Sequence, residues 1–411
     1  MNKKRKWVVV KITRDQLQTP YFLIDEKELN KNVVNLKNAL KKYWENSIIG
    51  YSFKTNSLPW LLEYFMDNDI YAEVVSDDEY ELAHKIGYEK GKLIYNGVIK
   101  SKTTFLEAIK NGCIVNIDTQ RELDWLKELD YMSDRQYEIG IRVNFDLERY
   151  CPKESIMEDE GGRFGFCYEN GELKEAIDYI NKLNHVNLTG LHLHCSSKTR
   201  SLCVYRAISQ IACEIKRAYS LELKYVDVGG GFYGGLENKP QFDHYLKVIS
   251  DELNKEFGKE NLILIIEPGT SLVSSPISFI TSVIDVKETT RNYFVTTDGS
   301  RINIDPLQKK NSYLFEIEYK EILNKDKDNI KKQIISGFTC MEDDRLFVLE
   351  EYPKLTVGDK VIYKKVGAYT LCLSPLFIKY FPTVYLEKDG VIFEVRKKWA
   401  SEDYIKRVHT C

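Results

Sequence analysis

The sequence predicts an α/β chain, a TIM-type (β/α)8 barrel followed by a C-terminal β domain. Two observations carry that expectation. Between residues 48 and 266, eight short apolar runs of strand length alternate with segments of helical apolar spacing. After Gly269 helical spacing becomes rare, and short strands separated by turn residues take over. Eight β-α units are too many for an ordinary doubly wound sheet. They suit a closed barrel, whose functional residues gather at the carboxyl ends of its strands. The expected division is a barrel over 21–269 and a β domain built from 1–20 together with 270–411. A length of 411 residues exceeds one ordinary core and agrees with two domains.

In chain order, 7–12 reads as a strand of the β domain, and Thr19-Pro20 marks where the barrel begins. Barrel strands are expected at 48–53, 71–76, 93–95, 113–117, 137–143, 188–194, 225–228 and 262–266. Segments such as 79–86 and 204–219 supply the helices between them. The long connection 145–169 carries charge, glycine and Cys151-Pro152, and reads as an excursion over the barrel mouth. In the β domain, strands are expected at 283–287, 293–297, 333–337, 360–364, 383–387 and 391–395. The lysine-rich run 325–332 reads as a solvated turn.

Composition narrows the partners. Fifty-nine basic side chains against 62 acidic ones give a net charge of −3, which attracts no nucleic acid. No run approaches the roughly 20 apolar residues of a membrane helix. The apolar run 7–10 after the basic opening is broken by Lys11, far short of a signal core. Nine cysteines without a C-x-x-C pair read as free thiols in a reducing compartment, so the expected location is cytoplasmic.

The chemistry-bearing stretches end barrel strands. Gly50-Tyr51-Ser52-Phe53-Lys54-Thr55-Asn56 closes the first strand on a single lysine. Burial disfavours an ammonium, so an amine there becomes a nucleophile able to form a Schiff base; a snorkelling lysine is the plain alternative. Leu191-His192-Leu193-His194-Cys195-Ser196-Ser197 ends the sixth strand, where alternation places both histidines on one face. Such a pair is either structural or a metal ligand set. Asp227-Val228-Gly229-Gly230-Gly231-Phe232 ends the seventh strand and bares backbone amides that a phosphate can approach. Ile266-Glu267-Pro268-Gly269-Thr270 ends the eighth with a carboxylate that needs a cation or a protonated ring nitrogen as partner. In the second domain, Gly337-Phe338-Thr339-Cys340-Met341-Glu342-Asp343-Asp344 sets a thiol beside three acids, and Gly367-Ala368-Tyr369 follows a short strand.

Lysine, histidine, glycine run, glutamate, cysteine and tyrosine, in that order on those elements, resemble the fold type III pyridoxal-phosphate decarboxylases. These are the ornithine, arginine and diaminopimelate decarboxylases, with alanine racemase a more distant relative of the same barrel. The resemblance runs from Thr19-Pro20 to the strand around Tyr385. It implies pyridoxal 5'-phosphate as cofactor, no metal, and decarboxylation of a small amino-acid substrate. Lys54 would hold the cofactor aldehyde, Glu267 would pair with the ring nitrogen, and His194 would stack on the ring. Ser197, Gly231, the Gly269-Thr270 backbone and Tyr369 would hold the phosphate. Arg142 matches an arginine near the ring, and Glu73 stands where the family has an acid on the second strand. Cys340 would reach into a partner subunit's site and return a proton to carbon, which makes the protein an obligate homodimer with shared sites. Asp344 matches an acid four residues after that cysteine.

Departures from the family pattern bear on the substrate. Thr270 replaces the arginine after Glu-Pro-Gly, Asp305-Pro306 replaces an arginine before proline, and Met341 replaces the acid after the cysteine. Together they argue against meso-diaminopimelate. Asp298 matches an acid that can touch a distal amine, so an ornithine- or lysine-type diamino acid stays open. The favoured expectation is an amino acid or amino-acid conjugate in a specialised biosynthetic pathway of siderophore or antibiotic type. Two rivals are a metal-dependent barrel hydrolase using His192, His194, Asp227 and Glu267, and a relative without catalysis. No third histidine ends another strand, and Lys54 and Cys340 are both present.

Overall fold

The computed structural model describes residues 10–13, 16–132, 135–320 and 329–406. They form two compact units, 32–271 and 1–31 together with 272–411.

The first unit is a closed barrel. Its eight parallel strands are Ser47–Ser52, Tyr71–Val74, Leu93–Tyr95, Ile114–Ile117, Tyr137–Asn144, Val186–His192, Tyr225–Asp227 and Ile263–Ile266. They pair in sequence order, and the eighth returns to the first through Leu264 beside Ser47 and Ile266 beside Ile49. Ser47–Ser52 buries its last four residues and Ile263–Ile266 its last three. These are the near-continuous apolar runs expected of strands covered on both faces. Ile94, Tyr225 and Ile265 meet inside the barrel with Ile48, Tyr71, Ile114 and Ile263 around them. Each buried aliphatic chain contributes about 1.5–3 kcal/mol. Outside, the helices begin on ordinary caps. Ser76 accepts from the Glu79 amide and Ser101 from the Thr104 amide, satisfying donors that a first turn leaves open.

The excursion after the fifth strand holds a short helix, Leu147–Tyr150, and returns as Phe166–Cys167 alongside that strand. Its outer part is stitched to the loop after the sixth strand. Ser155 bridges Ser197, the Lys198 amide donates to the Glu154 carbonyl at 2.8 Å, and Thr199 donates to the Glu154 carboxylate. A disulfide joins Cys151 to Cys203. The expectation of free thiols throughout therefore fails at this pair, because the stitching brings the two cysteines together. Cys113, Cys167, Cys195, Cys213, Cys340 and Cys372 are free, and Cys411 lies outside the described residues.

The second unit is a β domain. One sheet path runs Val10–Ile12, Val391–Arg396, Thr383–Lys388, Tyr21–Asp25, Ile277–Glu288, Tyr293–Thr297, Asn329–Ser336 and Arg345–Pro353. Lys360–Tyr363 branches from Ile277–Glu288 and pairs with Phe315–Glu318. Val283, Tyr293, Val295, Ile335, Leu349 and Leu355 form its core. The unit takes in 21–31, which the sequence assigned to the barrel. The reason is partner choice, since Tyr21–Asp25 lies between Ile277–Glu288 and Thr383–Lys388 in the sheet. Part of the lysine-rich run, 325–328, falls outside the described residues; 329–332 open a strand instead of a turn. Among the described residues no helix is long and apolar enough to cross a membrane.

Candidate active site

At the end of the first strand the chain enters a short 3-10 turn, Phe53–Thr55, with Phe53 and Thr55 buried. Lys54 points the other way and keeps 42% of its side chain exposed. Desolvation is thus not what conditions this amine. Its Nζ lies 2.6 Å from Oε2 of Glu73, which is buried at the penultimate position of the second strand and also accepts from Ser52 Oγ at 2.5 Å. The carboxylate fixes where the amine sits.

Glu267 follows the eighth strand and is 6% exposed. Burial alone would raise its pKa, but His192 and Lys54, with Asp227 beside it, outweigh that and hold the carboxyl below its usual range. Burial, and then the charge of Glu267, push the Asp227 pKa well up. His192 Nε2 stands 3.5 Å from Glu267 Oε2. His192, Asp227 and Glu267 bring one ligand atom each within 4.8 Å of one another, a spacing a metal could also use. His194 does not join that group. It lies beyond the strand with its ring against the seventh-strand glycines, where a Cβ on Gly229 would come within 2.5 Å of Nδ1. Burial, aided by the Arg142 charge, lowers the His194 pKa to about 3, so its imidazole is neutral at physiological pH. Its carbonyl accepts from Arg142 Nη2 at 2.9 Å, which braces the loop.

Two glycines let the strand-end turns close on one another. A Cβ on Gly230 would lie 2.1 Å from the Glu267 carbonyl, and one on Gly269 would lie 2.0 Å from Thr55 Oγ1. The turns bearing Gly231, Glu267 and Lys54 are therefore in contact, with Thr270 next along the chain. Ser197 is half-buried and accepts from the Arg200 amide at 3.0 Å.

Lys54, Glu73, Arg142, His194, Ser197, Gly231, Glu267, Gly269 and Thr270 all belong to the barrel unit. The remaining expected residues belong to the β domain. Cys340 is exposed on the loop between Asn329–Ser336 and Arg345–Pro353, with Met341 half-buried beside it. Asp344 is held by neighbouring segments of the same unit. Its Oδ2 accepts from Ser300 Oγ at 2.8 Å and from the Thr339 amide and hydroxyl at 3.1 and 2.7 Å, and its Oδ1 accepts from the Arg301 amide. Those bonds make it the anchor of the cysteine loop. Asp305 is likewise engaged within its own segment, by Arg301 Nε, the Lys309 and Lys310 amides and Tyr313. Asp298 is buried, accepts from the Ser282 amide at 2.8 Å, and has its pKa raised by burial. Tyr369 is 39% exposed.

The structure adds residues that the sequence reading passed over. Asn96, one residue past the third strand, donates to Glu73 Oε1 at 3.1 Å and Glu267 Oε1 at 2.5 Å. Glu79 is half-buried near Glu73 and Lys54 and accepts from the Val75 amide; desolvation first, and Glu73 further, raise its pKa to about 7. Asn96 had one available signal, a lone amide ending a buried apolar strand.

Comparison with known proteins bears on this arrangement. Residues 27–274 match the family described as pyridoxal-dependent decarboxylase, pyridoxal binding domain. A probable chloroplastic diaminopimelate decarboxylase of Oryza sativa subsp. japonica is 26% identical over 399 residues, covering 95% of this chain and 79% of its own. A solved diaminopimelate decarboxylase of M. jannaschii superposes with a TM-score of 0.85 at 22% identity, covering 97% of this chain and 93% of that one. The arginine decarboxylase of Paramecium bursaria Chlorella virus gives 0.75 at 18% identity, over 91% and 97% of the two chains.

Proposed function

Because this chain belongs to the pyridoxal-dependent decarboxylases, we propose that it acts on an amino acid with an enlarged or conjugated side chain rather than on meso-diaminopimelate. Pyridoxal 5'-phosphate is the cofactor of the family, and the residues present fit it. Lys54 offers an amine, Glu267 a buried ionised carboxylate, His194 a neutral ring with Nδ1 unbonded, and Gly229–Gly231 a cradle that side chains would fill. Their convergence on touching turns is the observation that carries the reading.

When bound, the cofactor supplies an aldehyde for the amine and a ring that draws off electrons as carbon dioxide leaves. Glu73 and Ser52 would hold Lys54 in line and keep a proton acceptor beside Nζ. Glu267 would hold a proton on the ring nitrogen. His194 would present its ring face, and Arg142 would keep that loop from moving. Ser197, Gly231, the Gly269-Thr270 backbone and Tyr369 would bind the phosphate. In a homodimer, Cys340 of one protomer would give its thiol proton to the carbon that lost carbon dioxide in the other. Its exposure on an anchored loop supports that role.

Thr270 and Met341 support the substrate class, since neither offers a charge to grip a distal carboxylate or amine. A specialised biosynthetic pathway and a cytoplasmic setting belong to the same proposal, the latter supported by six free cysteines. Purified protein should be yellow, and borohydride should fix the cofactor to Lys54, as peptide mass mapping would read. Lys54→Ala should lose both the fixation and nearly all turnover. Carbon dioxide release should be fastest with citrate-conjugated or similarly extended amino acids. A preference for meso-diaminopimelate would overturn the substrate assignment, and full activity in Lys54→Ala would overturn the mechanism.

A further inference from the structure

The amide of Asn96 has both hydrogens committed to different carboxylates. One goes to Glu73 Oε1 at 3.1 Å and the other to Glu267 Oε1 at 2.5 Å. Each carboxylate is thereby pinned by one oxygen and works with the other: Glu73 Oε2 faces Lys54, and Glu267 Oε2 faces His192. With its donors so placed, Asn96 must turn its oxygen away, and it accepts from Asn116 Nδ2 at 2.8 Å. Asn116 in turn accepts from the Tyr225 hydroxyl at 2.8 Å. The orientation of every member follows from the first, because a carboxylate only accepts and a reversed amide would set oxygen against oxygen. Tyr225 is 7% exposed, and its ring fits only because Gly140 and Gly190 lack side chains; a Cβ on either would lie 2.1 or 1.9 Å from it. The result is a polarised chain from the fourth and seventh strands through the third to the first, second and eighth.

We propose that Asn96 is a positioning residue, fed by Asn116 and Tyr225, that keeps Glu267 charged and holds it at fixed separation from Glu73 so that the two ends of the reaction stay in register. The proposal rests on the roles given above to Lys54 and Glu267. A donor aimed at a carboxylate favours its charged form, and chained donors polarise one another. The charged and titratable groups facing this cluster are Lys54, Arg142, His192, His194, Glu79 and Asp227, along with the two glutamates. The Asn96 amide hydrogen-bonds both glutamates at once.

The test uses full-length cofactor-loaded protein and two variants. Asn96→Leu keeps the shape and removes the donors; Tyr225→Phe keeps the ring that fills the barrel and removes the far hydroxyl. Infrared difference spectra count protonated carboxyl groups as pH falls. Loss of the donors should move carboxylate protonation upward by about one pH unit in Asn96→Leu and by a smaller step in Tyr225→Phe. The acidic limb of kcat/KM should shift with it, while borohydride still fixes the cofactor to Lys54. Either folded variant with its protonation midpoint and acidic limb at the wild-type position overturns the proposal. Failure of borohydride to label Lys54 in the wild type instead overturns the reading beneath it.

Discussion

Replacing Lys100 by methionine should destabilise the barrel by about 3–5 kcal/mol, the usual cost of leaving a buried charge without its partner. Lys100 and Glu122 have fully buried side chains with Nζ and Oε1 3.1 Å apart. Lys100 also donates to the Gly97 carbonyl at 2.5 Å. In the variant Glu122 keeps a bond from the Asp118 amide at 2.7 Å but loses its cation. Burial already raises the Glu122 pKa, and Lys100 is the first influence lowering it again; without it the folded carboxyl binds a proton at still higher pH. An unfolded glutamate titrates near 4.3. Above that value the folded variant therefore holds more proton than the unfolded chain, and its stability rises as pH falls, by at most about 1.4 kcal/mol per pH unit. Urea unfolding followed by circular dichroism between about pH 5 and 8 should show a deficit that shrinks toward acid. Adding Glu122→Gln, which keeps an acceptor for Asp118 and removes the charge, should restore at least half the loss at pH 8. A loss below about 1 kcal/mol, the range of exposed pairs, or one that ignores pH would refute the reasoning. The consequence reaches the site, because Asp118 Oδ1 accepts from the Gly165 amide, where the excursion returns beside Arg142.

Glu267→Gln retains the shape and the bond from Asn96 but not the charge. Its kcat should fall on the order of 10²–10³-fold with the cofactor still bound, and an unchanged rate would return Glu267 to a structural role. Mixed Lys54→Ala and Cys340→Ala proteins, allowed to exchange subunits, should regain up to about a quarter of wild-type activity, since half the dimers are mixed and half their sites intact. No recovery after demonstrated exchange would place the thiol outside its partner's chemistry.

The barrel was legible because its strands are short apolar runs covered on both faces, and all eight appear within two residues of their expected ends. Partner choice was not. Tyr21–Asp25 runs straight into the helix Glu26–Tyr43, which reads locally as one more barrel unit, and only the distant strands that flank it reveal otherwise. Phe315–Glu318 alternates apolar and acidic residues but is too short to stand out, and Arg345–Pro353 mixes charge into its register. In the site, residues that end strands could be found from their position. Asn96, Asn116 and Tyr225 could not, because a buried polar chain is defined by partners far apart in sequence. The partners of Asp305 and Asp344 were equally hidden, because the groups that hold their oxygens include backbone amides that no side-chain pattern announces.

Gly269 sits where the ring of strands joins its own beginning, and the lysine and glutamate turns meet across that joint. The contact between the two turns is absent from a chain whose last strand has yet to dock on its first. Enzymatic competence and completion of the ring are therefore a single event, and closing so long a loop carries an entropic cost that local contacts do not offset. A ligand that binds only the joined form pulls the equilibrium toward it by mass action. During folding, pyridoxal phosphate would then act as a clasp, and cells short of the vitamin would hold a larger share of this polypeptide with its ring open.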